Sequence, residues 1–195
     1  MKLSTKILLT LTAAAALSFA TPSYANIVQN GGFETGNFAG WTQFGFTGFD
    51  GVGTLSPTGT GPHSGTYLAF FGNVGSDSGI TQNLVTNAGN TYNLSFWLEL
   101  DNSTPNDYSI MWNGATIASA VNASGFGYTL FTFNGLLATG SLTQLKFSFR
   151  QDPQWFALDD VVANSAPDGG NTLWLLGLGM VGIALIRRWA PASVK

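Results

Sequence analysis

Tyr92-Asn93-Leu94-Ser95-Phe96-Trp97-Leu98-Glu99-Leu100-Asp101 sends Tyr92, Leu94, Phe96, Leu98 and Leu100 to one side and Asn93, Ser95, Trp97, Glu99 and Asp101 to the other. A period of two marks a strand with one buried face, because successive side chains leave a pleated backbone in opposite directions. A helix of the same length would repeat its apolar residues every three or four positions.

The same reading extends in both directions. Tyr108 to Trp112 and Ala115 to Ala118 flank Asn113-Gly114, a dipeptide suited to a two-residue hairpin turn. Tyr128 to Phe133 precedes Asn134-Gly135, which reads as another turn, and Leu145, Phe147 and Phe149 alternate with Lys146, Ser148 and Arg150. Trp155 to Val162 closes the series, and Tyr67 to Phe71 and Ile80 to Leu84 are earlier strands. Phe44 to Gly65 reads as a long loop carrying Phe44, Phe46 and Phe49. Short strands, polar turns and no amphipathic helix imply two antiparallel sheets packed face to face, an all-β jelly-roll sandwich.

Composition narrows the chemistry. The chain has 195 residues, 25 glycines, 9% charged residues and no cysteine. Disulfides, thiol catalysis and cysteine-held metals are therefore excluded. Between Asn26 and Ala166 the basic residues are Lys146 and Arg150, against Glu34, Asp50, Asp77, Glu99, Asp101, Asp107, Asp152, Asp159 and Asp160. A surface so acidic repels phosphate backbones, so no nucleic-acid partner is expected. It is compatible with cations and neutral sugars.

The two ends read as addresses. Lys2 and Lys6 precede an apolar run from Ile7 to Ala20, and Ser23-Tyr24-Ala25 offers small residues for signal peptidase to cut before Asn26. Residues 1–25 are thus expected to be a signal peptide helix and residues 26–164 the sandwich. Residues 165–195 start with a polar hinge, Ala166-Pro167-Asp168-Gly169-Gly170-Asn171-Thr172. An uncharged run to Ile186 and then Arg187-Arg188 follow, a short transmembrane helix over 172–188 with its arginines inside and the domain outside. Trp189 suits a membrane-interface anchor.

Pro167, Asp168, Gly169 and Gly170 followed by an apolar helix and Arg187-Arg188 resemble the PEP-CTERM bacterial sorting signals, nearest the Val-Pro-Asp-Ser-Gly variant. Ala166 replaces the usual Val, and Gly169 stands where Ser is common. The resemblance implies export, recognition by an exosortase, and a location in the envelope, at the surface or outside the cell.

Asn30-Gly31-Gly32-Phe33-Glu34 near one end and Leu158-Asp159-Asp160-Val161 near the other resemble the galactose-binding-like jelly rolls of carbohydrate-binding modules. In that family the opening Glu and closing Asp meet and hold a structural calcium ion. The resemblance therefore implies Ca2+ on Glu34 and Asp159, with Asp160 and Asn30 as further ligands. Calcium's demand for six to eight hard oxygens agrees with the residue types.

Catalysis finds little support. His63 is the one histidine, and Pro62-His63-Ser64-Gly65 reads as a turn before Tyr67 rather than part of a triad. Trp97, on the polar face of its strand, is the candidate sugar platform, with Asn93, Glu99 and Asp101 as hydrogen-bonding neighbours. The competing reading packs Trp97 under a loop; Trp41 and Trp155 are expected in the core. The sequence thus points to a non-enzymatic, exported protein associated with extracellular polysaccharide. A structural or adhesive surface protein without a glycan site is the alternative, and a secreted glycosidase or esterase a weaker one.

Overall fold

A computed structural model describes residues 25–166, together with Gly177 and Met180, whose backbone is helical. The signal peptide, the sorting motif Pro167 to Gly170, Arg187-Arg188 and nearly all of the 172–188 segment lie outside the described residues. Among the described residues no helix is long and apolar enough to cross a membrane.

Ten strands form the domain: β1 Thr42–Phe44, β2 Gly51–Gly53, β3 Leu68–Phe71, β4 Ser78–Val85, β5 Thr91–Leu100, β6 Asn106–Trp112, β7 Ala115–Val121, β8 Phe126–Leu137, β9 Leu142–Gln151 and β10 Phe156–Ser165. They make two five-stranded sheets, ordered β1-β4-β9-β6-β7 and β2-β3-β10-β5-β8. Every pairing is antiparallel. The all-β sandwich expected from the alternation is what the chain forms.

The core follows from that alternation. Tyr92, Leu94, Phe96, Leu98 and Leu100 of β5 are all buried and face Leu145, Phe147 and Phe149 of β9. Phe96 meets Phe147 edge to face across the sheets, with ring centroids 5.0 Å apart. Phe71 stacks on Phe149 at 4.7 Å, and Phe149 packs on Phe156 at 4.9 Å. Each fully buried ring contributes about 1.5–3 kcal/mol of burial energy, so this inter-sheet stack is the main mechanical link between the layers.

Three local expectations differ from the structure. The Phe44 to Gly65 stretch is not all loop, since it holds the end of β1 and the whole of β2. Asn134-Gly135 is not a turn, because β8 runs straight through it. There the register with β5 shifts between Tyr92 and Leu94, Gly135 has φ +72°, and its N–H donates to Asn93 Oδ1 at 3.2 Å. That is a bulge, which absorbs an extra residue within a strand. Trp155 is half-buried rather than core, lying over Gly72 and donating from Nε1 to the Phe49 carbonyl. By contrast Asn113 and Gly114 both have positive φ between Trp112 and its partner Ala115, the expected two-residue turn.

The opening segment is stitched to the last strand. Ile27 N–H donates to the Ala163 carbonyl, Asn26 Nδ2 to Val161 O, and Val161 N–H to Gly31 O. A Cβ on Gly31 would lie 2.0 Å from Val161 O, so only glycine permits this approach.

Candidate functional site

The outer face of the second sheet carries Trp97, Glu99 and Asp101, but residues 54–67 lie across it. Thr60 Oγ1 donates to Glu99 Oε1 at 2.8 Å, and Thr58 Oγ1 donates to Asp101 Oδ2 at 2.7 Å. Asp101 Oδ2 also accepts the Trp155 N–H. Tyr128 OH donates to the Gly61 carbonyl at 3.0 Å. Burial pushes the Glu99 carboxyl above its ordinary range, and Asp101 adds to the effect. The same burial raises the Tyr128 hydroxyl, with Asp159 and Glu99 adding to it.

Trp97 is covered by the histidine. The His63 ring lies on the indole with centroids 3.8 Å apart and planes 16° from parallel, and Tyr128 meets His63 edge-on at 5.4 Å. The ring expected to carry a sugar therefore already carries an imidazole. Asn93 is apart from this group, holding the bulge at Gly135. These four residues hold the 54–67 segment and the bulge in place, and do not converge on an open sugar platform.

Of the acids of the chain ends, Asp159 and Asp160 meet at Gly32, while Glu34 brings only its stem there and its carboxylate reaches Thr66 and Tyr67. A Cβ placed on Gly32 would have Asp160 Oδ1, the Glu34 Cγ and Asp159 Oδ1 as its nearest atoms, at 3.7, 3.8 and 3.9 Å. Each carboxylate grips the 63–67 turn. Glu34 accepts the N–H groups of Thr66 and Tyr67, and Asp159 accepts those of Ser64 and Asp160. Asp160 binds His63 Nδ1 and the Ser64 hydroxyl, both at 2.7 Å. Asp159 is completely buried, and burial, reinforced by Asp160, pushes its carboxyl up to about 6. Asn30 faces elsewhere: its amide donates to the Asn37 and Ala39 carbonyls, and its Oδ1 accepts the Thr35 N–H. The donor chemistry at Gly32, hard oxygens with excess negative charge, suits calcium. The present arrangement serves the turn, and among the described residues no three His, Cys, Asp or Glu side chains are grouped to hold a metal ion.

The outer face of the first sheet is built differently. Opposed residues of neighbouring antiparallel strands project to the same side, so pairings define rows across the strands. One row is Gly79, Ser148, Ser109 and Ser119, with Phe44 opposite Gly79 at the edge. A second is Thr42, Thr81, Lys146, Met111 and Thr116. A third is Arg150, Asp107 and Val121, with Asp77 just ahead of β4. Phe44 covers Gly79, and Ser148 is buried and bonded to Asp77, so the open part of the middle row is Ser109 and Ser119, with nothing larger than serine between rows of longer side chains. The result is a short trough across β9, β6 and β7, about 13 Å between its walls and about 10 Å long at standard strand spacings.

The trough has the groups that polyhydroxyl ligands engage. Asp77 Oδ2 accepts from Ser148 Oγ at 3.0 Å, and Asp107 lies within hydrogen-bonding reach of Asp77. Burial chiefly, with Asp77 next, raises the Asp107 carboxyl. Arg150 Nη2 pairs with Asp152 Oδ2 at 2.8 Å, which holds the Asp152 carboxyl below its usual range. Lys146 Nζ sits 4.2 Å above the Phe44 ring. Gly45 presses on the Asp77 carbonyl, and beyond it Phe46 and Phe49 are 62% and 47% exposed with ring centroids 6.0 Å apart. Sequence reading picked out these phenylalanines but missed Asp77, Asp107, Lys146 and Arg150. The available signal was the small residue at each outward position, Gly79, Ser109 and Ser148.

No family model and no curated protein matches this chain. Solved structures do. A family 61 carbohydrate-binding module, TmCBM61, solved in complex with β-1,4-galactotriose, is 21% identical, with a TM-score of 0.60 over 73% of this chain and 99% of that one. The CBM22-1-GH10 modules of Clostridium thermocellum xylanase 10B, complexed with xylohexaose, give 17% identity and a TM-score of 0.54, over 75% of this chain and 29% of that one. The K3 adhesin domain of Lys-gingipain from Porphyromonas gingivalis gives 18% and 0.52, over 72% of this chain and all of that one. What these likenesses establish is the fold: this chain is a jelly-roll sandwich of the architecture used by carbohydrate-binding modules.

Proposed function

We propose that the chain is an exported carbohydrate-binding protein that holds a polysaccharide strand in the trough of the first sheet. The observation that carries this reading is the small Ser109-Ser119 floor between Asp107 and Arg150 on one side and Lys146 and Met111 on the other, with exposed Phe46 and Phe49 following β1. Sugar rings stack on exposed aromatics, while carboxylates accept hydroxyl hydrogens and Arg150 and Lys146 donate. Binding rather than hydrolysis is the activity proposed, in keeping with the carbohydrate modules among the similar structures.

The ends complete the reading. Signal peptidase would release the N-terminus, the C-terminal segment would hold the chain in the membrane, and an exosortase would act near Pro167 to Gly170. The domain would then work at the bacterial surface or in the extracellular matrix, on exopolysaccharide. Calcium at Gly32 belongs to this proposal, with Glu34, Asp159 and Asp160 as the carboxylates that would hold it. A bound cation would offset the burial, and the lesser repulsion from Asp160, that raise Asp159. Asn30 is left out of the set because its amide serves the 35–39 turn.

The adhesive reading keeps one support, the likeness to the gingipain adhesin domain. A glycan array probed with the full chain separates the two. Specific glycans are expected, with Asp107→Ala and Phe46→Ala each weakening binding at least tenfold. An array without any specific signal would favour the adhesive reading.

A further inference from the structure

We propose a cation site at the end of the sandwich where Asp50, Asn73 and Gln151 meet the Gly72-Asn73 corner. Three buried side-chain atoms lack a hydrogen-bond partner among the described residues: Asp50 Oδ2, Asn73 Oδ1 and Gln151 Oε1. All three are oxygens, and none is a donor. Asn73 and Gln151 are completely buried. A buried acceptor left unsatisfied keeps the full cost of losing its water, so three at one corner call for a shared positive partner.

The orientation of each group is fixed by its other atoms. Gln151 Nε2 donates to the Asp101 carbonyl at 2.8 Å, so turning the amide over would set oxygen against oxygen. Asn73 Nδ2 donates to the Ser76 carbonyl and to Ser76 Oγ, with the same consequence. Asp50 Oδ1 accepts from Ser78 Oγ at 2.9 Å, and the carboxylate also accepts the Gly72 N–H. The free oxygens are therefore imposed by the fold.

The three residues also share a location. Asp50 binds Ser78, which pairs with Phe149 two residues before Gln151, and Asn73 accepts the Gln151 N–H on its carbonyl at 3.0 Å. One water has two hydrogens and cannot satisfy three acceptors. A hard cation has no such limit, and one carboxylate with two amide oxygens is a calcium-type donor set. Sodium would use the same oxygens, and the test separates the two. Burial also raises the Asp50 carboxyl, as expected of an acid there without a counter-charge. The site is distinct from the acids around Gly32 and does not depend on the glycan reading.

Trp155 supplies the reporter, because a Cβ on Gly72 would lie 2.2 Å from its Nε1. Terbium added to the full-length chain carrying Asp159→Asn, the background for every variant below because it weakens the acids at Gly32, is expected to luminesce when tryptophan is excited, and calcium but not sodium should displace it. Trp155→Phe should remove most of the light and Trp97→Phe little of it. Asp50→Asn should weaken calcium affinity at least tenfold. Gln151→Glu sets a second oxygen against the Asp101 carbonyl and should be destabilised in chelator and rescued by calcium. Light that depends on Trp97 alone, or calcium affinity unchanged in Asp50→Asn, would overturn the site. So would a Gln151→Glu chain destabilised equally with calcium and with chelator. Displacement by sodium at equal concentration would overturn the assignment to calcium.

Discussion

His63 lies flat on Trp97, centroids 3.8 Å apart, and Asp160 holds the imidazole there through a 2.7 Å contact to Nδ1. The pair joins the 54–67 segment to the middle of β5, so Trp97 acts through packing. Trp97→Ala is expected to cost about 2 kcal/mol, below the 3–5 kcal/mol of a fully buried tryptophan. Glycan affinity should change less than threefold. Chemical denaturation and glycan titration of the same variant check both halves.

The trough makes the opposite prediction. Ser109 is on its floor, facing outward between Ser148 and Ser119. Ser109→Tyr would fill the floor without touching the core. Glycan binding should fall at least tenfold while stability shifts by no more than about 0.5 kcal/mol, the usual range for surface changes. Isothermal titration beside a melting curve tests this.

Asp159 sets a pH dependence. Its carboxyl rises from 3.8 to about 6 on folding, so between those values the native state holds more protons than the unfolded chain. Stability must then fall as pH rises through that window, by about 3 kcal/mol at 1.36 kcal/mol per unit. Denaturation in chelator at pH 4 and pH 7 should show the difference, and Asp159→Asn should flatten it. Calcium at pH 7 should restore the loss if it binds at Gly32.

The sorting proposal has a direct readout. Protein recovered from the surface or medium of its own host should end near Gly170. Mass spectrometry finding Lys195 on that mature material would count against processing.

The sheets were legible because their signal is local. Tyr92 to Asp101 declares its buried face within one strand, and Asn113-Gly114 declares its turn within two residues. Asn134-Gly135 has the same letters, but a partner forty residues away decides its role, since Asn93 caps Gly135 inside a continuous strand. The trough was illegible for a similar reason. Gly79, Ser109 and Ser148 line up only when the register between β4, β9 and β6 is known. The acids at Gly32 were found through resemblance, and their hold on the 63–67 turn was not, because nothing near His63 in sequence announces Asp159 or Asp160.

Asn26 bonds both Val161 and Ala163, which places the start of the domain against the end of β10. Joining the two ends would need only a short connecting peptide, and loop-closure entropy rises slowly with length, about 0.6 kcal/mol per doubling. The domain is therefore nearly a closed ring whose opening could be moved. Cut at the exposed Asn113-Gly114 turn and spliced from Ala166 to Asn26, a permuted chain keeps every strand pairing intact. The same closeness would let the sandwich sit within a loop of another protein without separating the two points where that host chain enters and leaves.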